Sequence, residues 1–238
     1  MKRNMVIKRT TALLLTGLFL MGVATNAPVR AEVTEKGLFG LVEISSDNLA
    51  ALPLWLKVKA SFPQLANAAA KCDARIEDCQ SQQMTLWRTK IAELQNSPKR
   101  IQMQEMNRFL NGWKYVPADA EASPDGNWAS PLEFISNGGG SRDFAIMKYI
   151  SLKELGFDPD AMRIVIANDV LRNKVHAVLS VTRRGKRYVL DSLNDTILEE
   201  RLVNYYVPLY SVNENKRWAH IPIDFLTAQD AAGSNNND

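Results

Sequence analysis

Three glycines in a row, Gly138, Gly139 and Gly140, stand directly before Ser141-Arg142-Asp143-Phe144-Ala145-Ile146-Met147-Lys148-Tyr149. A tight glycine turn at this point delivers a small hydroxyl side chain to the first turn of an amphipathic helix. Phe144, Ala145, Met147, Ile150, Leu152 and Leu155 give that helix a broad apolar face, and Gly156 supplies its stop signal. Behind Gly156 the hydrophobic period changes. Residues 163–167, 174–182, 187–190 and 205–211 are β-branched or aromatic runs separated by turn signals, with Arg184-Gly185-Lys186 as a hairpin. Ahead of the glycines the pattern is helical. Leu86, Trp87, Ile91 and Leu94 share a face over residues 82–95, and Ile101, Met103, Met106, Phe109 and Leu110 do so after Ser97-Pro98. Residues 38–69 read as helix-prone, with a cap at Ser45-Ser46-Asp47 and an interruption at Pro53. Residues 113–127 read as an ordered surface loop, and Ser130 with Pro131 opens a short helix. Helices first and antiparallel strands after, with the serine-bearing helix at the junction, predict an α+β fold.

The ends of the chain carry a different message. Lys2, Arg3, Lys8 and Arg9 precede and flank an apolar run over 11–23, and Ala27-Pro28-Val29-Arg30-Ala31 offers small side chains at a cleavage site. The run is short for a bilayer span, so residues 1–31 read as a cleavable signal peptide, with a retained anchor as the alternative. The folded domain is expected over 32–226 and a disordered tail over 227–238. Five of the 29 basic residues lie in the first 31, which hold no acid; the remaining 24 basic and 26 acidic residues give a net charge of −2. That balance removes the compositional support for a nucleic-acid partner.

Export also bears on Cys72 and Cys79. A close pair in an oxidising compartment fits a disulfide. A continuous helix would separate Cα atoms seven residues apart by roughly 10 Å, beyond the reach of a bridge. A bridge therefore requires the segment to turn and to close a loop between two helices. Two free thiols are the alternative, and metal binding is weaker because no histidine stands nearby in sequence.

A nucleophile at a helix N-terminus gains from the helix dipole, and the preceding glycines offer backbone donors for an oxyanion. His176, inside the apolar run Val175-His176-Ala177-Val178-Leu179, has the type to take a proton, and Asp191, ending Tyr188-Val189-Leu190-Asp191, to fix its tautomer. Each residue has a plainer reading. Ser141 fits an N-cap, His176 a core histidine and Asp191 a turn former.

The chain resembles the bacterial transglutaminase-like cysteine peptidases, a periplasmic family that includes calcium-dependent proteases releasing biofilm adhesins. The resemblance runs over roughly residues 38–221. It includes the cysteine pair, the segment 107–115, Trp128-Ala129-Ser130-Pro131-Leu132-Glu133-Phe134, the glycine-turn helix and the runs bearing His176 and Asp191. The family's nucleophile motif, Gly-Asp-Cys-Glu-Asp-Tyr-Ala-Ile-Ala-Lys-Tyr, lays its first Asp on Gly140, its Cys on Ser141, its Glu on Arg142 and its second Asp on Asp143; Lys148 and Tyr149 match. It implies a papain-like or transglutaminase-like α+β domain whose catalytic positions are Ser141, His176 and Asp191. The acids flanking the family's cysteine are associated with calcium, and Gly140 and Arg142 stand in their place, so no cofactor and no metal site is expected. A serine hydroxyl does not inherit the reactivity of a thiolate. Three changes in three consecutive positions therefore imply an exported, periplasmic pseudoenzyme that binds a protein or peptide, an adhesin segment or a membrane receptor's periplasmic domain. The alternatives are an active hydrolase using Ser141, His176 and Asp191, and a structural envelope protein.

Overall fold

The computed structural model describes residues 32–34, 36–117 and 128–222. The expected signal peptide and the tail from residue 227 lie outside them. In chain order the elements are β1 (Glu32–Thr34), β2 (Val42–Ser46), α1 (Pro53–Ala60), α2 (Phe62–Ala74), α3 (Gln82–Leu94), α4 (Lys99–Asn111), α5 (Pro131–Asn137) and α6 (Ser141–Glu154). Then come β3 (Met162–Asp169), β4 (Lys174–Arg183), β5 (Lys186–Asp191), β6 (Asn194–Glu199), β7 (Tyr206–Val212) and β8 (Arg217–Ile221). The strands form one sheet in the order β1-β2-β8-β7-β3-β4-β5-β6, with every neighbouring pair antiparallel. The fold is α+β, as the change of period predicts.

Helices-before-strands needs one correction. Residues 42–46 are a strand, and β2 pairs with β8, Ile44 standing opposite Ala219. A strand this short is decided by its distant partner, and local propensity carries little of it. The cap nearby is Asn48, whose side chain accepts from the Ala50 N–H, and Pro53 opens α1 instead of interrupting a helix. Strands β6 and β8 also lie in segments that carried no strand pattern.

Helix α6 is buried around its whole circumference, every residue from Ser141 to Leu152 being buried. It packs on β3 and β4 on one side and on α4 and α5 on the other, which is why its sequence shows apolar residues beyond a single stripe. In α3 and α4 the buried faces are shifted slightly from the expected ones: Met84 is buried while Leu86 and Ile101 are exposed. Strand β4 separates two cores. Val175, Ala177, Leu179 and Val181 join the main core under the helices, whereas Val178 joins a smaller core with Val165, Val189 and Tyr206 on the other side of the sheet. At the end of α2 the chain reverses through a single 3-10 turn, Ile76–Asp78. The Cα atoms of Cys72 and Cys79 come to 4.2 Å and the two are joined by a disulfide. The bridge closes the α2–α3 connection, as the spacing required.

Candidate functional site

The glycine turn is built by two glycines, and the third is free of that demand. Gly138 has φ +79°, and a Cβ there would overlap the Lys114 carbonyl oxygen. A Cβ on Gly139 would overlap the Asp143 carboxylate. Gly140, at φ −87° and ψ −175°, is in extended backbone that any residue adopts. Segment 114–116 runs parallel to the turn: Gly139 N–H donates to Lys114 O at 3.3 Å and Val116 N–H to Gly139 O at 2.9 Å. Asp143, in the first turn of α6, accepts from Gly140 N–H at 2.9 Å and from Ala129 N–H at 2.9 Å. The start of α6 is thereby fastened to the Trp128–Ser130 segment that leads into α5. These bonds engage the amides of Gly139 and Gly140, so the glycines do not offer the oxyanion donors expected of the turn.

Gly140 is the cap residue and Ser141 the first residue of α6. The Ser141 Oγ is buried and accepts from Ala177 N–H at 3.2 Å. That amide belongs to the peptide immediately after His176, so the helix start and the histidine strand meet there. The His176 Nε2 lies 2.7 Å from Asp191 Oδ1. Asp191 also accepts from Leu193 N–H at 2.9 Å and, through Oδ2, from the Tyr206 hydroxyl at 2.6 Å. The Tyr206 ring stacks on the imidazole, centroids 5.5 Å apart and planes inclined by 24°. Burial works to raise the Asp191 carboxyl, but the His176 ring, the Tyr206 hydroxyl and the Leu193 amide outweigh it and hold it below the usual carboxylate value. Burial and the Asp191 charge push the Tyr206 hydroxyl up, so it stays a donor.

With Nε2 facing the carboxylate, a neutral ring has Nδ1 as its acceptor. That nitrogen is buried and has no hydrogen-bond partner among the described residues. The three sequence candidates are therefore together, Asp191 in direct contact with His176 and Ser141 on the adjacent backbone amide. The Ser141 hydroxyl and His176 Nδ1, however, make no hydrogen bond.

Sequence reasoning missed the frame around this pair. One face of α4 fastens the β5–β6 turn: Gln104 Nε2 donates to Asp195 O at 2.7 Å, and Asn107 Nδ2 to Asn194 O and Asp195 O at 2.7 and 2.9 Å. Asn111 Nδ2 donates to Asp191 O and to Asp195 Oδ1, each at 3.0 Å. Amide side chains at 104, 107 and 111 recur at helical spacing, which is the signal that marks such a stripe. Tyr206 lies in the expected strand run 205–211 but carries no mark of its partner.

Comparison with known proteins places the chain in a family. The profile of the bacterial transglutaminase-like cysteine proteinases matches residues 62–224. Legionella pneumophila LapG is 31% identical over 70% of this chain and 94% of its own, with a TM-score of 0.57. The calcium-bound form of Legionella pneumophila LapG is 32% identical over 65% of this chain and 87% of its own, with a TM-score of 0.56. No curated protein sequence matches the chain.

Proposed function

Because the chain belongs to the bacterial transglutaminase-like cysteine proteinases, we propose that it keeps the peptidase frame without cutting peptide bonds and acts by binding. Its site lies in the periplasm, and its ligand is a protein or peptide: an adhesin segment or the periplasmic domain of a membrane receptor. The observation that carries this reading is the uncoupled pair at the site's centre. Ser141 stands where the family carries its cysteine, and its hydroxyl makes no hydrogen bond to His176 Nδ1, the nitrogen that would take its proton. Serine needs such a base for every transfer, whereas a thiol ionises near its own pKa.

Calcium does not fit the described residues. Gly140 carries no side-chain ligand, Arg142 brings a buried positive charge, and both Asp143 oxygens are engaged by backbone amides. A hard cation needs several oxygen ligands. Among the described residues no three acids, histidines or cysteines cluster to hold a metal, and no helix is long and apolar enough to cross a membrane.

The intact His176–Asp191 pair favours one second reading, a hydrolase that uses Ser141 as nucleophile with His176 as base. One experiment separates the two. The purified protein, Ser141→Ala and Ser141→Cys are incubated with adhesin segments, with and without calcium, and binding and cleavage are both measured. Binding by all three without cleavage is the expected result, including for Ser141→Cys while Gly140 and Arg142 remain. Cleavage by the parent that Ser141→Ala abolishes selects the hydrolase.

A further inference from the structure

Lys148 lies seven residues after Ser141 on α6, two turns along the same face of the helix. Its side chain is wholly buried, at 0% exposure. The ammonium donates to Asn111 Oδ1 at 2.7 Å. The other end of that asparagine donates to Asp191 O and to Asp195 Oδ1, each at 3.0 Å. One asparagine thus joins a buried cation on the Ser141 helix to the turn that presents the Asp191 carboxylate to His176.

Filling space is a poor explanation for this lysine. Taking an ammonium out of water costs several kcal/mol, and an apolar side chain of similar volume would fill the same space without that cost. We propose that Lys148 is a positioning residue, which acts through Asn111 to fix the Asp191 turn and so sets how Asp191 holds His176.

The charges around it fit that role. Asp191 and Asp195 face the ammonium from the β5–β6 turn, and the Phe144 ring lies 6.0 Å from Nζ on its own helix. His176 from β4 and Tyr206 from β7 face the far side of Asp191. Burial pulls Lys148 down to about 7, against the raising influence of Asp191 and Asp195. The brace consequently changes charge close to neutral pH.

The inference takes from the proposed function only the identity of the His176–Asp191 pair, and its test needs no cleavage or ligand. The readout is the imidazole Nε2 proton of His176, observed by NMR in the purified protein between the ring and Asp191. In the parent its resonance shifts stepwise as pH passes about 7. In Lys148→Met, with the fold checked by circular dichroism, the resonance is displaced by several linewidths and the step is gone. Asn111→Ser, which cuts the bridge and leaves the ammonium, displaces the resonance too, and it carries the test should Lys148→Met fail to fold. A folded variant of either kind whose resonance stays at the parent frequency overturns the proposal. A cleaving parent with a displaced variant resonance overturns the binding-only reading and leaves this one standing.

Discussion

The chain has two histidines, and both are buried beside a carboxylate and a hydroxyl, yet their surroundings differ in one respect. His176 meets Asp191, whose other contacts are a tyrosine hydroxyl and a backbone amide. His220 faces Glu43 at 3.6 Å and holds Ser211 Oγ at 2.9 Å through Nε2. Glu43, however, is already taken by Arg163, which donates to both its oxygens at 2.9 Å, and by the Leu38 amide at 2.8 Å. A carboxylate neutralised by a guanidinium has little charge left for an imidazole. Burial therefore dominates at His220 and lowers it to about 4, with Glu43 pulling the other way and Arg163 adding to the fall. The lesson is that a serine, a histidine and an acid in proximity do not make a reactive centre. What distinguishes the two histidines is how far the acid is committed elsewhere: Glu43 is held by Arg163, whereas Asp191 holds the His176 ring directly.

Three measurements strain this comparison. The largest effect is expected from Asp191→Ala, which leaves the His176 ring and the Tyr206 hydroxyl buried without their acceptor; it should cost about 3 kcal/mol in urea unfolding. A cost near zero would mean that Asp191 does not hold the ring. Next comes Arg163→Met, which releases Glu43 to the histidine. Stability falls by about 2 kcal/mol, and the His220 midpoint, followed by NMR, climbs well above its parent value. If it stays put, counter-charge is not what separates the two sites. The smallest effect belongs to His220→Gln. Because His220 takes its proton at lower pH folded than unfolded, the unfolded chain binds that proton first as pH falls from 6.5 towards about 4. Stability drops through that window and levels off below it. His220→Gln should remove about 1.5 kcal/mol of the loss between pH 6.5 and 5, read as a flatter profile of unfolding free energy against pH.

Features set by neighbouring residues were legible in the sequence. The glycine turn, α6, the capped start of α5 at Ser130 and the β4–β5 hairpin all follow from local chemistry, and the Cys72–Cys79 loop follows from spacing. Ser141, His176 and Asp191 were picked out by type, order and family pattern, and the fold does bring them together. What could not be read depends on partners far along the chain. Strand β2 is ordered by β8, Tyr206 by Asp191, and the stripe Gln104-Asn107-Asn111 by carbonyl groups eighty or more residues away. The group around His220 was invisible for the same reason, since Glu43, Ser211 and His220 lie on three separate strands. Local reading also misjudged the glycine amides as open donors, because the acceptors Asp143 and Lys114 become apparent only in three dimensions.

The pairing of β2 with β8 has a consequence in time. Hairpins β3–β4 and β4–β5 join neighbours in sequence and can close early, but Ile44 must wait for Ala219. A chain made from its N-terminus therefore carries the β1–β2 pair detached from the rest of the sheet until almost the last described residues have appeared. Trp55 waits as well, since its indole N–H donates to Asn213 O at 3.0 Å. A protein stopped short of Arg217 would keep its central hairpins and lose the seam that fastens its beginning to its end. Completion of the sheet thus doubles as a check that the chain has been made through β8.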